Sequence, residues 1–150
     1  MANMAVSIRE ATIGDLPAIL ALEQVSPTAA HWWLNQYETR IAQEQVIAAE
    51  HDGVVCGFLC WRAAAGEWEI ENVVVAAELQ RRGIGAALVR TAIEKWRTSG
   101  GTALLLEVRE SNEAARILYE KCGLRDVGRR RGYYGGPPED AVLYRLAEKC

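Results

Sequence analysis

The sequence predicts a mixed α/β fold, a central and mostly antiparallel sheet of about six to seven strands flanked by about four helices. Three observations predict it. Between Gln45 and Val75, apolar segments rich in β-branched and aromatic residues are separated by turn signals, which is the pattern of a strand meander. From Gln80 the period becomes helical, and that helix is followed by "ALLLEV", Ala103 to Val108, apolar throughout and too short for a helix, as a buried strand after a crossover should be. Finally, 150 residues, half apolar and a quarter charged, suit one domain spanning residues 1–150.

The elements follow in order. A short strand is expected near Val6 to Arg9. Thr12, with Asp15 three residues on, is a capping signal for a helix with Leu16, Ile19, Leu20 and Glu23 at helical spacing up to about Val25. Ser26-Pro27 ends it, and "TAAHWWLNQYETRIAQ" allows a second helix of weaker pattern. The meander strands "VIAAE", "VVCGFLCWR" and "WEIENVVV" are parted by Asp52-Gly53 and Ala65-Gly66. In the middle strand Val54, Cys56, Phe58 and Cys60 are expected on one face and Val55, Leu59 and Trp61 on the other, so both faces need cover and the strand is central. The third helix turns Ile84, Ala87, Leu88, Thr91, Ala92 and Trp96 inward and Arg90, Glu94 and Arg97 outward, and Gly100-Gly101 ends it. A right-handed crossover leads to the next strand. Asn112 to Cys122 is the fourth helix, with Ala115, Leu118, Tyr119 and Cys122 on one stripe and Gly123 closing it in a left-handed conformation. Strands near Leu124 to Arg131 and Ala141 to Leu146, around the loop "GYYGGPPED", complete the chain.

Bulk properties exclude several classes. A net charge of -3 argues against general nucleic-acid binding, which needs a basic surface, so any anion site is local. Cys56, Cys60, Cys122 and Cys150 form no CxxC pair and no framework, which predicts reduced thiols. No run of eighteen apolar residues and no signal-peptide pattern is present, and a cytoplasmic protein without membrane contact is expected.

The densest functional signal is "QRRGIGAAL", Gln80 to Leu88, in which two arginines and two glycines open a helix. Such a start attracts phosphate, because glycine backbone admits close approach and unpaired amides and the helix dipole favour negative charge. The Walker string is absent from the chain. The dinucleotide fingerprint G-x-G-x-x-G matches at Gly83 and Gly85 but not at Leu88, and seven residues separate the preceding strand from Gly83. The third signature, Q/R-x-x-G-x-G/A after the last strand of a meander, fits without these faults.

On that motif and on the order of elements over nearly the whole length, the chain resembles the GNAT acetyltransferases. Within them, "LEVRESNEAARILYEKCGL" is similar in order and spacing to the ribosomal-protein-alanine N-acetyltransferases, which acetylate the N-terminal alanine of a small-subunit ribosomal protein. The resemblance implies acetyl-CoA as co-substrate, with no metal, and a protein or peptide N-terminus as acceptor. It implies Glu107 as general base and Tyr119 as general acid. It further implies Val73, Val74, Val75, Arg81, Arg82, Gly83, Ile84, Gly85, Ala86 and Asn112 as the cofactor-binding residues. The chemistry is aminolysis of a thioester, in which an amine loses a proton, an oxyanion develops and a thiolate departs.

Each of these residues also has a structural reading. Glu107 can also be read as the solvent-facing end of an apolar strand, Tyr119 as a core tyrosine, and Asn112 as a helix cap. Arg129, Arg130 and Arg131 read as a solvated strand end, and His31 and His51 carry no assigned role. One departure from the family pattern concerns the acceptor. Glu71 stands before Asn72, where an apolar or small residue is expected, and Glu67 and Glu69 are in phase with it. Such carboxylate offers a second base or attracts a cationic acceptor. Three functions therefore stay open at this stage: a protein N-terminal acetyltransferase, a relative acting on lysine or a small amine, and a non-catalytic acyl-CoA-binding module.

Overall fold

The structure, a computed structural model, describes residues 5–26, 32, 34–135 and 137–147. Its strands are β1 (Ser7–Glu10), β2 (Val46–His51), β3 (Val54–Ala64), β4 (Glu67–Val75), β5 (Ala103–Arg109), β6 (Arg125–Tyr134) and β7 (Glu139–Ala147), and its helices α1 (Leu16–Val25), α2 (Leu34–Ala42), α3 (Ile84–Thr98) and α4 (Glu113–Lys121). The strands form one sheet in the order β1-β2-β3-β4-β5-β7-β6. Among the described strands only β4 and β5 pair in parallel, and α3 is the crossover that returns the chain between them. The expected strand and helix numbers and the mixed sheet are all found.

Two cores cover the two faces. Ile84, Leu88, Ala92 and Trp96 of α3 and Tyr119 of α4 pack on Leu59, Trp61, Ile70, Leu104, Leu106, Val142 and Tyr144. On the other face Leu16 and Ile19 of α1 and Tyr37 of α2 pack on Val46, Ala48, Phe58, Cys60 and Val74. The expected α3 stripe is wider than the sequence pattern suggested, since Val89 and Ile93 are also buried. At the start of α1 the capping signal holds: Thr12 N–H donates to Asp15 Oδ2 at 2.7 Å, ahead of a single 3₁₀ turn. At the end of α4, Leu124 N–H donates to Tyr119 O at 3.0 Å while Gly123 takes φ 98°, the left-handed closure expected.

Two bulges change the phase of the meander. Ala49 pairs with Gly57 and Glu50 with Val55, which leaves Cys56 as an extra residue in β3. Cys56 therefore packs with Leu59 and Trp61 rather than with Phe58 and Cys60, and Val55 changes face as well. The strict alternation expected for this strand is corrected accordingly. In β4, Cys60 pairs with Asn72 and Trp61 with Ile70, so Glu71 is the extra residue. Ladder pairing between β4 and β5 also ends there, running from Glu67 with Ala103 to Ile70 with Leu106. Beyond Ile70 and Leu106 no ladder pair joins the two strands, which leaves a gap in the pairing between them.

The C-terminal hairpin is longer than expected. Tyr133 and Tyr134 belong to β6, and Glu139 and Asp140 to β7, so most of "GYYGGPPED" is strand. A register jump between Arg130 and Tyr134 accommodates the extra residues, which an edge strand tolerates. Residues 1–4, 27–31, 33, 136 and 148–150 lie outside the described residues, including His31, Trp33, Cys150 and the first part of the expected second helix. Cys56, Cys60 and Cys122 are free thiols. No described helix is long and apolar enough to cross a membrane.

Candidate active site

The gap between β4 and β5 has an open backbone edge. Ala76 N–H donates to Cys56 O at 2.8 Å, which turns Ala76 and, two residues earlier, Val74 toward β3. Val73 and Val75 therefore direct their N–H and C=O groups to the β5 side, where pairing has stopped. Val75 O accepts a 3.4 Å contact from Gln80 Nε2 there. An extended chain bearing amides can pair with this edge as an added strand would.

At one end of the gap α3 begins. Gly83 is its N-cap at φ 83°, and Arg81 also has a positive φ, 66°. No side chain caps the helix, and its first internal bond runs from Ala87 N–H to Gly83 O at 3.0 Å. The amides of Ile84, Gly85 and Ala86 are thus unsatisfied within the helix, an arrangement suited to an anion. The two glycines serve different ends. A Cβ on Gly83 would meet nothing within 4 Å, so the loop faces open space, whereas one on Gly85 would lie 3.0 Å from Leu118 Cδ1. Gly85 is needed for the packing of α3 on α4, not for ligand approach alone. Arg81 and Arg82 are exposed and without ion pairs among the described residues. The Ile84 side chain is buried, leaving only its amide available.

Glu107 follows the last β5 residue paired with β4. Leu104, Leu106 and Val108 face α3 and α4, so alternation points Glu107 to the other face of the sheet. Its carboxylate is not a bare strand end, because Arg130 Nη2 lies 3.0 Å from Oε1 and the side chain is only 20% exposed. Tyr119 sits on the α3 side, 8% exposed, its ring edge-on to Tyr144 at 5.9 Å. Burial, with lesser contributions from Tyr134, Cys122 and Tyr144, pushes its phenol well above the usual value and keeps it protonated near neutral pH. Tyr119 is thus a core residue that also holds a proton. Asn112 caps α4, its Oδ1 accepting from Ala115 N–H at 3.2 Å, which leaves its Nδ2 group outside the cap.

An amide edge, an uncapped glycine-led helix start and a carboxylate thus border the stretch where the β4–β5 ladder stops, and a protonated phenol lies in the core on the opposite face of the sheet from the carboxylate. Residues 10–124 match the Acetyltransferase (GNAT) family. The chain belongs to the GNAT acetyltransferase family. It is similar to the [ribosomal protein bS18]-alanine N-acetyltransferase of Salmonella typhimurium, with 32% identity over 137 residues that cover 88% of this chain and 90% of the relative. The crystal structure of the ribosomal-protein-S18-alanine N-acetyltransferase from Escherichia coli superposes with a TM-score of 0.85 at 29% identity, covering 95% of this chain and 94% of that one. The fold is shared as well by yncA from Salmonella typhimurium, solved with its cofactor acetyl-CoA, at a TM-score of 0.83, 21% identity, and 97% and 96% coverage.

The protein is accordingly an acetyl-CoA-dependent N-acetyltransferase of the GNAT family. Three residues near its gap escaped the sequence pattern. Tyr134 has its phenol pushed up to about 12 by burial and by the Glu107 charge, with the Arg109 guanidinium 4.4 Å above its ring. The register jump that brings it there leaves no periodic signal. Arg129, Arg130 and Arg131 are all exposed on β6, as expected of a solvated strand end, but Arg130 also pairs with Glu107, and Arg129 with Asp126 at 2.8 Å and Glu110 at 3.0 Å. Arg40 of α2 holds Glu71, its Nε 2.8 Å from Oε1, across 31 positions of sequence that no local pattern spans. Glu69, also in phase, pairs with Arg62 at 3.1 Å. Among the described residues no group of three or more His, Cys, Asp or Glu side chains is arranged to hold a metal.

Proposed function

We propose that this acetyltransferase modifies the α-amino group of a protein N-terminus, with alanine on a small-subunit ribosomal protein as its acceptor, and that residues 1–150 work as one catalytic domain in the cytoplasm. The acceptor rests on similarity to the Salmonella typhimurium relative, which is named for alanine of ribosomal protein bS18. The observation that carries the mechanism is Glu107 at the apex of the gap, on the face opposite Tyr119.

Acetyl-CoA supplies the acetyl group as an activated thioester. The amides of Gly83, Ile84, Gly85 and Ala86, with Arg81 and Arg82 beside them, suit its pyrophosphate. The open edge of Val73 and Val75 suits the amide-bearing arm, and the Asn112 Nδ2 group is free to donate to it. Val74 faces β3 and the other core, so its part is to hold the edge in place. A Val73 or Val75 N–H also stabilises oxygen charge developing on the thioester carbonyl. Glu107 accepts the amine proton, directly or through water, on the α1 side, and Tyr119 donates a proton to the departing thiolate on the α3 side. The base acts on one face of the sheet and the acid on the other, with the gap as the passage between them. An α-amino group, with a reference pKa of about 8 against about 10.4 for lysine, asks less of such a base near neutral pH. Arg130, exposed and held by a single contact to Glu107 and by the Tyr133 ring at 4.9 Å, gives way to the incoming amine.

The test is mass spectrometry of peptide mixtures incubated with enzyme and acetyl-CoA, in which free N-terminal alanine peptides compete with N-blocked, lysine-containing ones. Product on the free N-terminus is expected. Modification of lysine alone would move the protein to a different acceptor class.

A further inference from the structure

The departure at Glu71 acquires a meaning from its position. β4 and β5 are parallel, and their last ladder pair is Ile70 with Leu106. One residue past that pair stand Glu71, the extra residue of the β4 bulge, and Glu107, so the end of the ladder is flanked by one carboxylate from each strand. Both lie on the same face. Leu104 and Leu106 pack toward α3, so alternation points Glu107 to the other face, and Glu71, the extra residue of the β4 bulge, is held on that same face by Arg40 of α2. Two like charges so placed would form a competing pair of bases and a strong attractor for an ammonium ion.

The two carboxylates are masked unequally. Glu107 is met by one contact from Arg130, whose side chain is 55% exposed. Glu71 is clasped from α2 at both oxygens, Arg40 Nε to Oε1 at 2.8 Å and Nη2 to Oε2 at 3.5 Å, with the two side chains only 19% and 16% exposed. Each arginine also lies over an aromatic ring, Arg40 over Trp32 at 5.6 Å and Arg130 over Tyr133 at 4.9 Å, so the difference between them rests on burial and on the number of contacts to the carboxylate. Trp32 lies against Tyr37 at a 39° tilt with ring centroids 5.0 Å apart, and Tyr37 accepts a 3.0 Å hydrogen bond from Asn72 Nδ2, which returns the circuit to β4 beside Glu71.

We propose that Arg40 is a specificity-determining residue that silences Glu71, so that the acceptor side of the gap offers one usable carboxylate, Glu107, and does not recruit cationic amines such as lysine side chains. This rests on the N-terminal acceptor reading above. Arg40 touches no substrate; it acts by occupying Glu71. With Arg40 gone, an ammonium ion takes the vacated place on the Glu71 carboxylate.

The experiment measures binding by titration calorimetry of an N-blocked peptide containing one lysine to the CoA-loaded enzyme, in wild type, Arg40→Gln, and Arg40→Gln with Glu71→Gln. Binding should tighten roughly tenfold in Arg40→Gln, as one new charge pair at a partly buried site allows, and return to the wild-type value in the double variant. No tightening, or tightening that persists without Glu71, overturns the proposal, because loosening of α2 alone would then explain the change. Should Arg40→Gln not fold, the charge swap Arg40→Glu with Glu71→Arg keeps the pair closed. Wild-type affinity for the lysine peptide is expected in the swap, and a tenfold gain overturns the proposal. Acetylation of a free N-terminal alanine peptide by the wild type is scored separately, so failure of the acceptor reading and failure of the Arg40 assignment are told apart.

Discussion

The β4 and β5 sides of the gap each present a carboxylate one residue past the last ladder pair, yet the protein treats them differently. Glu71 is held by a shielded, two-point contact from a helix, whereas Glu107 is held by a single contact from an exposed arginine on an edge strand. An ion pair between partly buried groups is hard to open, because separation strands charge where water is scarce, while an exposed pair is worth little and exchanges readily. The comparison teaches that two carboxylates of similar placement differ in availability according to how easily their partners can be displaced.

The largest expected effect tests whether Glu107 is the working member. Glu107→Gln should lower kcat by roughly 10²–10⁴ with acetyl-CoA affinity nearly unchanged, and the deficit should shrink as pH rises past the acceptor's own value of about 8, where the amine is already neutral. Steady-state kinetics from pH 6.5 to 9.5, with chemistry shown to limit turnover, would decide it; near wild-type turnover at neutral pH removes Glu107 from the mechanism. Gly83→Val probes the same gap at its cofactor end. A β-branched residue is strained at φ 83° and fills the space over the helix amides, so acetyl-CoA affinity should drop by roughly tenfold or more, and the melting shift produced by acetyl-CoA should vanish. A retained shift would relocate the anion site.

Tyr119→Phe should reduce kcat by roughly tenfold or more while the melting temperature stays close to wild type, since the ring that packs against Tyr144 is kept. Unaltered turnover would assign the residue to packing alone. The comparison itself is sharpened by double-mutant cycles in urea. Coupling of Arg40 with Glu71 should reach about 1–2 kcal/mol, and that of Arg130 with Glu107 about 0–0.5 kcal/mol. Equal values would erase the distinction between the two sides.

Away from the gap, the Arg9 guanidinium, and next to it the Thr12 N–H, holds the Asp15 carboxyl below its ordinary range despite burial. A lowered folded value stabilises the protein above the unfolded value of about 3.9, and that contribution is lost as pH falls through the folded one. Asp15→Asn should therefore narrow the stability difference between pH 5 and pH 3, as measured by urea midpoints, without altering turnover at neutral pH. An unchanged acid limb would count against the Arg9 pairing.

Much of this fold was legible because its signals are local. The glycine-led helix start at Gly83, the buried "ALLLEV" strand, the Asp52-Gly53 turn and the Gly123 closure each follow from backbone preferences within a few residues. The candidate site was legible in part for the same reason, since Glu107 and Tyr119 lie in one continuous segment that resembles a family. The face change at Cys56 and the placement of Tyr134 were not legible. A bulge or register jump inserts an unpaired residue without altering composition, and only the partner strand reveals it.

By itself the sequence determined the order and type of the elements, the anion-seeking helix start and the presence of carboxylates at 71 and 107, because these depend on near-neighbour sterics and residue chemistry. Only the tertiary structure decided that those two carboxylates stand just past the end of the parallel ladder on one face, and that Arg40 and Arg130 guard them with unequal grip. That outcome depends on where the parallel ladder ends and on contacts between residues more than twenty positions apart, and electrostatic pairing is governed by distance in space and access to water rather than distance along the chain.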